Sequence, residues 1–178
     1  MPMEVTPEFE AHTRKAAETG DVTAMCTLGG ILFTLHRPDE AEVWWRKAAE
    51  LGNVDAMANL AAVLSERDPA EAVIWLQRGA EVGHDLAIYN LGVIAYQQGA
   101  IDEALGWYLK AAQLGNVNAM YNYAVIVAKT DKDEADRWLT RAANRGDISA
   151  VRKLAALLAD RDPARAEQWA RKAAENPQ

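Results

Sequence analysis

A glycine returns along this chain at positions 20, 52, 83, 115 and 146, at spacings of 32, 31, 32 and 31 residues, each closing a version of the phrase Lys-Ala-Ala-Glu-x-Gly. Other columns keep step with it. Trp44, Trp75, Trp107 and Trp138 stand eight residues before the four later glycines, and Trp169 stands eight before Pro177. An alanine follows each glycine by four positions: Ala24, Ala56, Ala87, Ala119 and Ala150. Eight and nine positions after it come a large apolar and a small residue: Leu28-Gly29, Leu60-Ala61, Leu91-Gly92, Tyr123-Ala124 and Leu154-Ala155. A period of this length marks a stack of identical supersecondary units, none of which buries its apolar face alone.

The period dictates the unit. About 31 residues hold two helices of roughly 13 residues and two tight turns, and no alternation of apolar and polar residues argues for a strand. Each repeat is then a hairpin of helix A and helix B, with the glycine closing the preceding helix B in the left-handed conformation that a side chain disfavours. Thr23, Asp55, Asp85, Asn118 and Ser149 are the expected caps of the A helices. Asp68-Pro69 and Asp162-Pro163 open B helices with a cap and a proline whose missing N–H costs nothing there. Arg37-Pro38 and Asp131-Lys132 hold the same slot. Thr6-Pro7-Glu8 through Thr19 reads as a lone helix B with His12 in the tryptophan column, a polar ring suited to covering the end of a stack. The expectation is one all-α domain over 1–178: a lone helix over 6–20, then hairpins over 21–52, 53–83, 84–115, 116–146 and 147–177, eleven helices in all. The tryptophans are expected in the core, between neighbouring repeats.

Charge and composition exclude several classes. A formal charge of -7 argues against a nucleic-acid partner. The charge is uneven: residues 1–130 hold 9 basic and 17 acidic side chains, residues 131–178 hold 10 and 9. No run of about 18 apolar residues reads as a membrane span. The start Met1-Pro2-Met3-Glu4-Val5 has acid where a signal peptide has a basic stretch, and Cys26 stands alone, so a cytoplasmic location is expected. One cysteine makes no structural zinc site.

Residues 87–115, from Ala87-Ile88-Tyr89-Asn90-Leu91-Gly92 to Lys110-Ala111-Ala112-Gln113-Leu114-Gly115, resemble a Sel1-like repeat, a relative of the tetratricopeptide repeat, and the resemblance runs over roughly residues 8–175. It departs in one respect: Sel1-like units carry a longer loop with a Gly-x-Gly pattern, where this chain has short turns such as Ser65-Glu66-Arg67-Asp68-Pro69. The resemblance implies a right-handed α-solenoid, a non-enzymatic adaptor or scaffold, and a concave groove lined by A helices that holds a partner peptide or helix. The clamp by which one tetratricopeptide subtype holds a C-terminal carboxylate is not matched, since the positions that would carry it are Cys26 and Gly30 in the first full repeat and Leu86 and Asn90 in the third.

Taking the Leu-Gly column as the buried side of helix A, the two preceding positions face the groove: Cys26-Thr27, Ala58-Asn59, Tyr89-Asn90, Tyr121-Asn122 and Arg152-Lys153. Phe33, Glu66, Tyr96, Gln97, Lys129 and Asp160 join them. Asn59, Asn90 and Asn122 form a ladder open to two readings. They read the backbone of an extended peptide, or they bond a neighbouring helix and tie the repeats together. Tyr89 and Tyr121 offer rigid amphipathic contact area. The candidate partner-binding set is Asn59, Tyr89, Asn90, Tyr96, Tyr121, Asn122 and Arg152.

No catalytic set emerges. His12, His36 and His84 occupy different places in their repeats, and Cys26 has no histidine near it in sequence. The acids Asp39-Glu40, Asp102-Glu103 and Asp133-Glu134 open B helices, where they complement the helix dipole. No cofactor or metal is expected. The partner is expected to be a protein or peptide, with no nucleic acid and no membrane, and a homo-oligomer is the alternative.

Overall fold

The computed structural model describes residues 6–175, so residues 1–5 and 176–178, Pro177 among them, lie outside the described residues. Within them run eleven helices: α1 (Pro7–Glu18), α2 (Val22–Thr34), α3 (Pro38–Glu50), α4 (Val54–Leu64), α5 (Pro69–Glu81), α6 (Asp85–Gln97), α7 (Ile101–Leu114), α8 (Val117–Val127), α9 (Lys132–Asn144), α10 (Ile148–Leu158) and α11 (Pro163–Glu175). Even-numbered helices are the A helices and odd-numbered ones the B helices. The chain divides into two compact units, residues 1–87 and 88–178, with the division inside α6.

The repeated phrase works as a joint. Gly20, Gly52, Gly83, Gly115 and Gly146 all have φ between +80° and +106°. Two small residues before the glycine supply the closing carbonyls: in the second joint Gly52 N–H donates to Ala49 and Asn53 N–H to Ala48, a pattern repeated at Gly146 and Asp147, and at Gly83 and His84 with Ala80 and Gly79. The residue after the glycine then serves both helices. Its N–H closes helix B, and its side chain accepts from the third residue of helix A: Asp21 from Ala24, Asn53 from Ala56, Asn116 from Ala119, Asp147 from Ala150, at 2.8–3.0 Å. The expected caps Thr23, Asp55, Asn118 and Ser149 are therefore displaced by two positions. They already lie within the first turn, where a side chain points along the helix wall and away from the free amides. Asp85 likewise opens α6 from inside, and His84 holds the cap column.

The alternation of 32 and 31 residues has a structural cause. In the 32-residue repeats helix A runs 13 residues (α2, α6) and turns through a left-handed residue, His36 (φ 58°) or Gly99 (φ 78°). In the others it runs 11 residues (α4, α8, α10), and Asp68, Asp131 or Asp162 caps the next helix. Arg37, in the same slot as these aspartates, makes no side-chain cap. Packing alternates with the turns. The 32-residue repeats pair a glycine with an aromatic ring, Gly29 with Trp45 and Gly92 with Tyr108, and a Cβ on either glycine would lie 2.5 or 2.7 Å from that ring. At the equivalent positions the intervening repeats carry Ala61 and Leu76, and Ala124 and Leu139, all buried.

The core follows the repeat columns: Leu28, Leu60 and Leu154 have no exposed surface, and Ala56, Ala87, Ala119 and Ala150 are sealed between helices. Trp44, Trp75 and Trp138 are buried as expected, whereas Trp169, on the last helix, and Trp107 are half-buried. There the neighbouring Tyr108 takes the interior place and Trp107 donates its indole N–H to Glu103 at 3.2 Å. His12 is exposed; Thr13 and Ala17 are the buried residues of α1 instead, with Thr13 Oγ1 donating to the Phe9 carbonyl.

Ion pairs link successive B helices. In the first unit Arg37 bonds Glu10 of α1, Arg46 bonds both Glu42 and Glu71, and Arg67 bonds Asp39 and Glu42. In the second, Arg165 grips Asp136 through two bonds of 2.8 and 2.9 Å, and Arg161 pairs with Asp133. The Arg165 pair holds the Asp136 carboxyl below its ordinary range.

Candidate functional site

The A helices place most of the expected residues at the surface. In the second unit Tyr89, Asn90, Tyr121 and Asn122 are half-buried, and Tyr96, Arg152 and Lys153 are exposed. In the first unit Asn59 and Cys26 are half-buried, but Ala58 is buried against its neighbours and offers no contact surface. Part of the set is engaged within the chain. Asn122 Nδ2 donates to the Tyr89 hydroxyl at 3.4 Å, and the Tyr89 ring lies 5.9 Å from that of Tyr108.

Each unit has a recess on its A-helix face, built from equivalent positions. In the first unit Trp45 forms the floor, Phe33 the outer wall, and Asn59, Ala62 and Val63 of α4 the opposite side, around a volume of about 690 Å³. Trp45 is fixed by its indole N–H, which donates to the Cys26 carbonyl at 3.1 Å, and by the Phe33 ring at 5.6 Å. In the second unit the same positions carry Tyr108, Tyr96, Asn122, Val125 and Ile126, and the volume falls to about 130 Å³. Phe33 and Tyr96 expose about half their surface, 51% and 50%. Aromatic rings left half in water at the mouth of an apolar recess are suited to contact with another chain.

The floor was legible only in part. The tryptophan column is conspicuous, yet the ring that shapes each recess stands one position later, at Trp45 and Tyr108. The signal that identifies it is the glycine at 29 and 92, which alone leaves space for the ring.

A second repeated device joins the tryptophans. Lys47, Arg78, Lys110, Arg141 and Lys172 lie over the rings of Trp44, Trp75, Trp107, Trp138 and Trp169, one helical turn earlier, at 4.4–5.7 Å from the ring centre. A cation over an indole face is attracted by the ring quadrupole while its stem shields the ring from water. The spacing of three residues is visible in the sequence once the columns are aligned.

The titratable groups are not gathered for chemistry. Burial, followed by the nearby Asp55 carboxylate, pushes the Cys26 thiol up, against a smaller opposing effect of the Asn59 amide. Such surroundings disfavour a nucleophilic thiolate. His84 Nε2 lies 3.1 Å from Asp55 Oδ1, His36 sits in the turn after α2, and His12 is on α1. Among the described residues no group of three or more His, Cys, Asp or Glu side chains is arranged to hold a metal ion, and no helix is long and apolar enough to cross a membrane.

Helical hairpins joined by left-handed glycines, with small residues between helices and aromatic recesses on the A-helix side, define an all-α solenoid-class repeat protein. The chain belongs to the Sel1 repeat family, whose model matches residues 24–53, 54–84, 85–116, 117–147 and 156–177. The last match begins within α10, leaving Arg152 and Lys153 outside it. The structure is similar to that of c5321, a protective antigen present in uropathogenic Escherichia coli strains and displaying an SLR fold, at 26% identity and a TM-score of 0.85, covering 96% of this chain but only 42% of that one. It is similar also to a Sel1 repeat protein from Oxalobacter formigenes, at 25% identity and a TM-score of 0.82, covering 94% of this chain and 78% of that one. Yeast Tom70 shares the fold at 17% identity and a TM-score of 0.74, covering 98% of this chain and 40% of that one. No curated protein matches the sequence. Folds of this Sel1 and tetratricopeptide type typically serve as protein-interaction scaffolds.

Proposed function

We propose that this chain is a non-enzymatic adaptor that holds a peptide or helix of a partner protein against its A-helix face. The observation that carries this reading is the recess repeated in both units, each with a buried aromatic floor and a half-exposed aromatic wall. Asn59 borders the first recess, and Tyr96 and Asn122 border the second. Tyr121, Asn90 and Arg152 extend the polar and aromatic surface of the second unit's A helices. Tyr89 acts through its contact with Asn122 and Tyr108, positioning the recess wall. The proposed setting is the cytoplasm.

The test is affinity capture with the full chain against a triple variant, Phe33→Ala with Tyr96→Ala and Tyr121→Ala, which strips the aromatic walls of both recesses, alongside light scattering. Loss of the captured protein with an unchanged helical spectrum supports the adaptor reading. A partner set that ignores all three changes, or a stable dimer that survives them with no captured protein, refutes it.

A further inference from the structure

The two recesses are equivalent in architecture and opposed in character. Aligned on Gly52 and Gly115, Ala62 corresponds to Val125, Glu66 to Lys129 and Arg67 to Thr130. The smaller Ala62 accompanies a first recess several times larger, about 690 Å³ against about 130 Å³. Only the larger falls within the range of about 300–1,000 Å³ typical of ligand sites.

The charge of the mouth differs too. Asp39, Glu66 and Arg67 line the first recess. The guanidinium of Arg67 is divided between Asp39, at 3.2 Å, and Glu42, while Glu66 meets no cation among the described residues. The mouth is therefore acidic, within a segment whose own charge is strongly negative. The interior is mostly apolar, because Trp45 has already spent its N–H on the Cys26 carbonyl and Phe33, Ala62 and Val63 present only carbon, with Asn59 and Ser65 as its polar side chains. An apolar chamber with an acidic lip discriminates by charge at the edge and by shape within.

Resting on the adaptor reading above, we infer that the recess between α2 and α4 is the anchor site for a basic peptide segment, one bulky aliphatic or aromatic side chain entering over Trp45 while an adjacent lysine or arginine meets Glu66 and Asp39. The second unit's recess, with Val125 and Lys129, does not take this ligand.

The chain supplies its own closing substitutions. Ala62→Val and Glu66→Lys install the residues that the second unit already carries at equivalent places, on helix and turn respectively, so neither asks for an untried surface. The probes are fluorescein-labelled synthetic dodecapeptides with a central Leu, Phe or Trp flanked by lysine, by glutamate or by serine, and the readout is fluorescence polarisation with the full chain. Lysine-flanked peptides are expected to bind about tenfold or more tighter than glutamate-flanked ones, Ala62→Val to weaken them about tenfold, and Glu66→Lys to abolish or invert the flank preference. The helical melting curve should be unchanged in both variants.

Equal binding of all flanks, or indifference to Ala62→Val, overturns the inference. Peptide binding lost on Tyr96→Ala and Tyr121→Ala but kept in Ala62→Val leaves the adaptor reading standing and removes this one. Binding of no peptide together with no captured protein removes both. A dimer that Ala62→Val dissociates would place a second copy in the recess and refute the basic-peptide assignment.

Discussion

Replacing Gly29 by alanine tests the alternating packing most directly, because two opposing effects meet at one atom. In mid-helix the change should stabilise by about 0.5–1 kcal/mol through backbone entropy. The new Cβ, however, would sit 2.5 Å from Trp45 Cδ1 and Nε1 and 2.8 Å from Cε2. The ring can retreat only into the recess that it floors, which would break its bond to the Cys26 carbonyl and its packing on Phe33. Overpacking of this kind costs about 1–3 kcal/mol, so the net expectation is a destabilisation of roughly 1–2 kcal/mol. Gly30 is the control one residue away: nothing lies within 4 Å of its added Cβ, so Gly30→Ala should stabilise by about 0.5–1 kcal/mol. Trp45→Leu copies the equivalent Leu76 of the next repeat, and in that background Gly29→Ala should become stabilising. The coupling in the double-mutant cycle should be about 2 kcal/mol. Equilibrium urea unfolding followed by helical circular dichroism measures all four terms, with equal m-values required before free energies are compared. If Gly29→Ala stabilised as Gly30→Ala does, or if its cost persisted in the Trp45→Leu background, steric interlock would not be the reason for glycine at this position.

Four further outcomes follow from the joints, turns and charges. Asp147→Ala should cost about 1 kcal/mol in thermal unfolding, while Ser149→Ala costs no more than about 0.5, because only Asp147 bonds a free amide of α10. His36→Gly should stabilise by about 1 kcal/mol, since His36 holds at φ 58° the conformation that Gly99 adopts in the equivalent turn. Tyr108→Ala should destabilise by about 3–5 kcal/mol and the half-buried Trp107→Ala by less than half of that. The Asp136 carboxyl is held low chiefly by its bonds from Arg165, so on acidification the unfolded carboxylate, near pH ~4, takes up its proton before the folded one. Stability contributed by the pair is thus present above that pH and lost as pH falls through the lowered value. Asp136→Asn should flatten the acid limb of a stability–pH curve; an unaltered limb would disprove the linkage.

The division into helical hairpins was legible because it depends on residues that no other backbone state favours at that period: glycines at spacings of 32 and 31, each preceded by a pair of small residues, two alanines or Gly79-Ala80, whose carbonyls close the turn. The cap positions were misplaced by two residues, since Thr23, Asp55 and Ser149 have the right chemistry and only the dual role of Asp21, Asn53 and Asp147 separates them. The groove residues were legible as a face, not as a site. Whether Tyr89 is free or engaged depends on Asn122, 33 residues away, and no local pattern encodes that approach. The ion pairs between B helices escaped for the same reason, their partners lying 25 to 29 residues apart.

The alternation also bears on how the recess arose within a repetitive chain. A strictly uniform repeat would give every pair of A helices the same gap. Here a glycine admits a large ring only in alternate repeats, so Trp45 and Tyr108 reach the A-helix face, where Leu76 and Leu139 are too short to form an aromatic floor. The architecture of the recess is thus set by core packing, and its selectivity by three surface positions, 62, 66 and 67, that bear little of the fold's stability. Core and selectivity can change independently: one unit keeps an open acidic mouth, while its counterpart, on the same frame, carries Val125 and Lys129 and encloses a smaller recess.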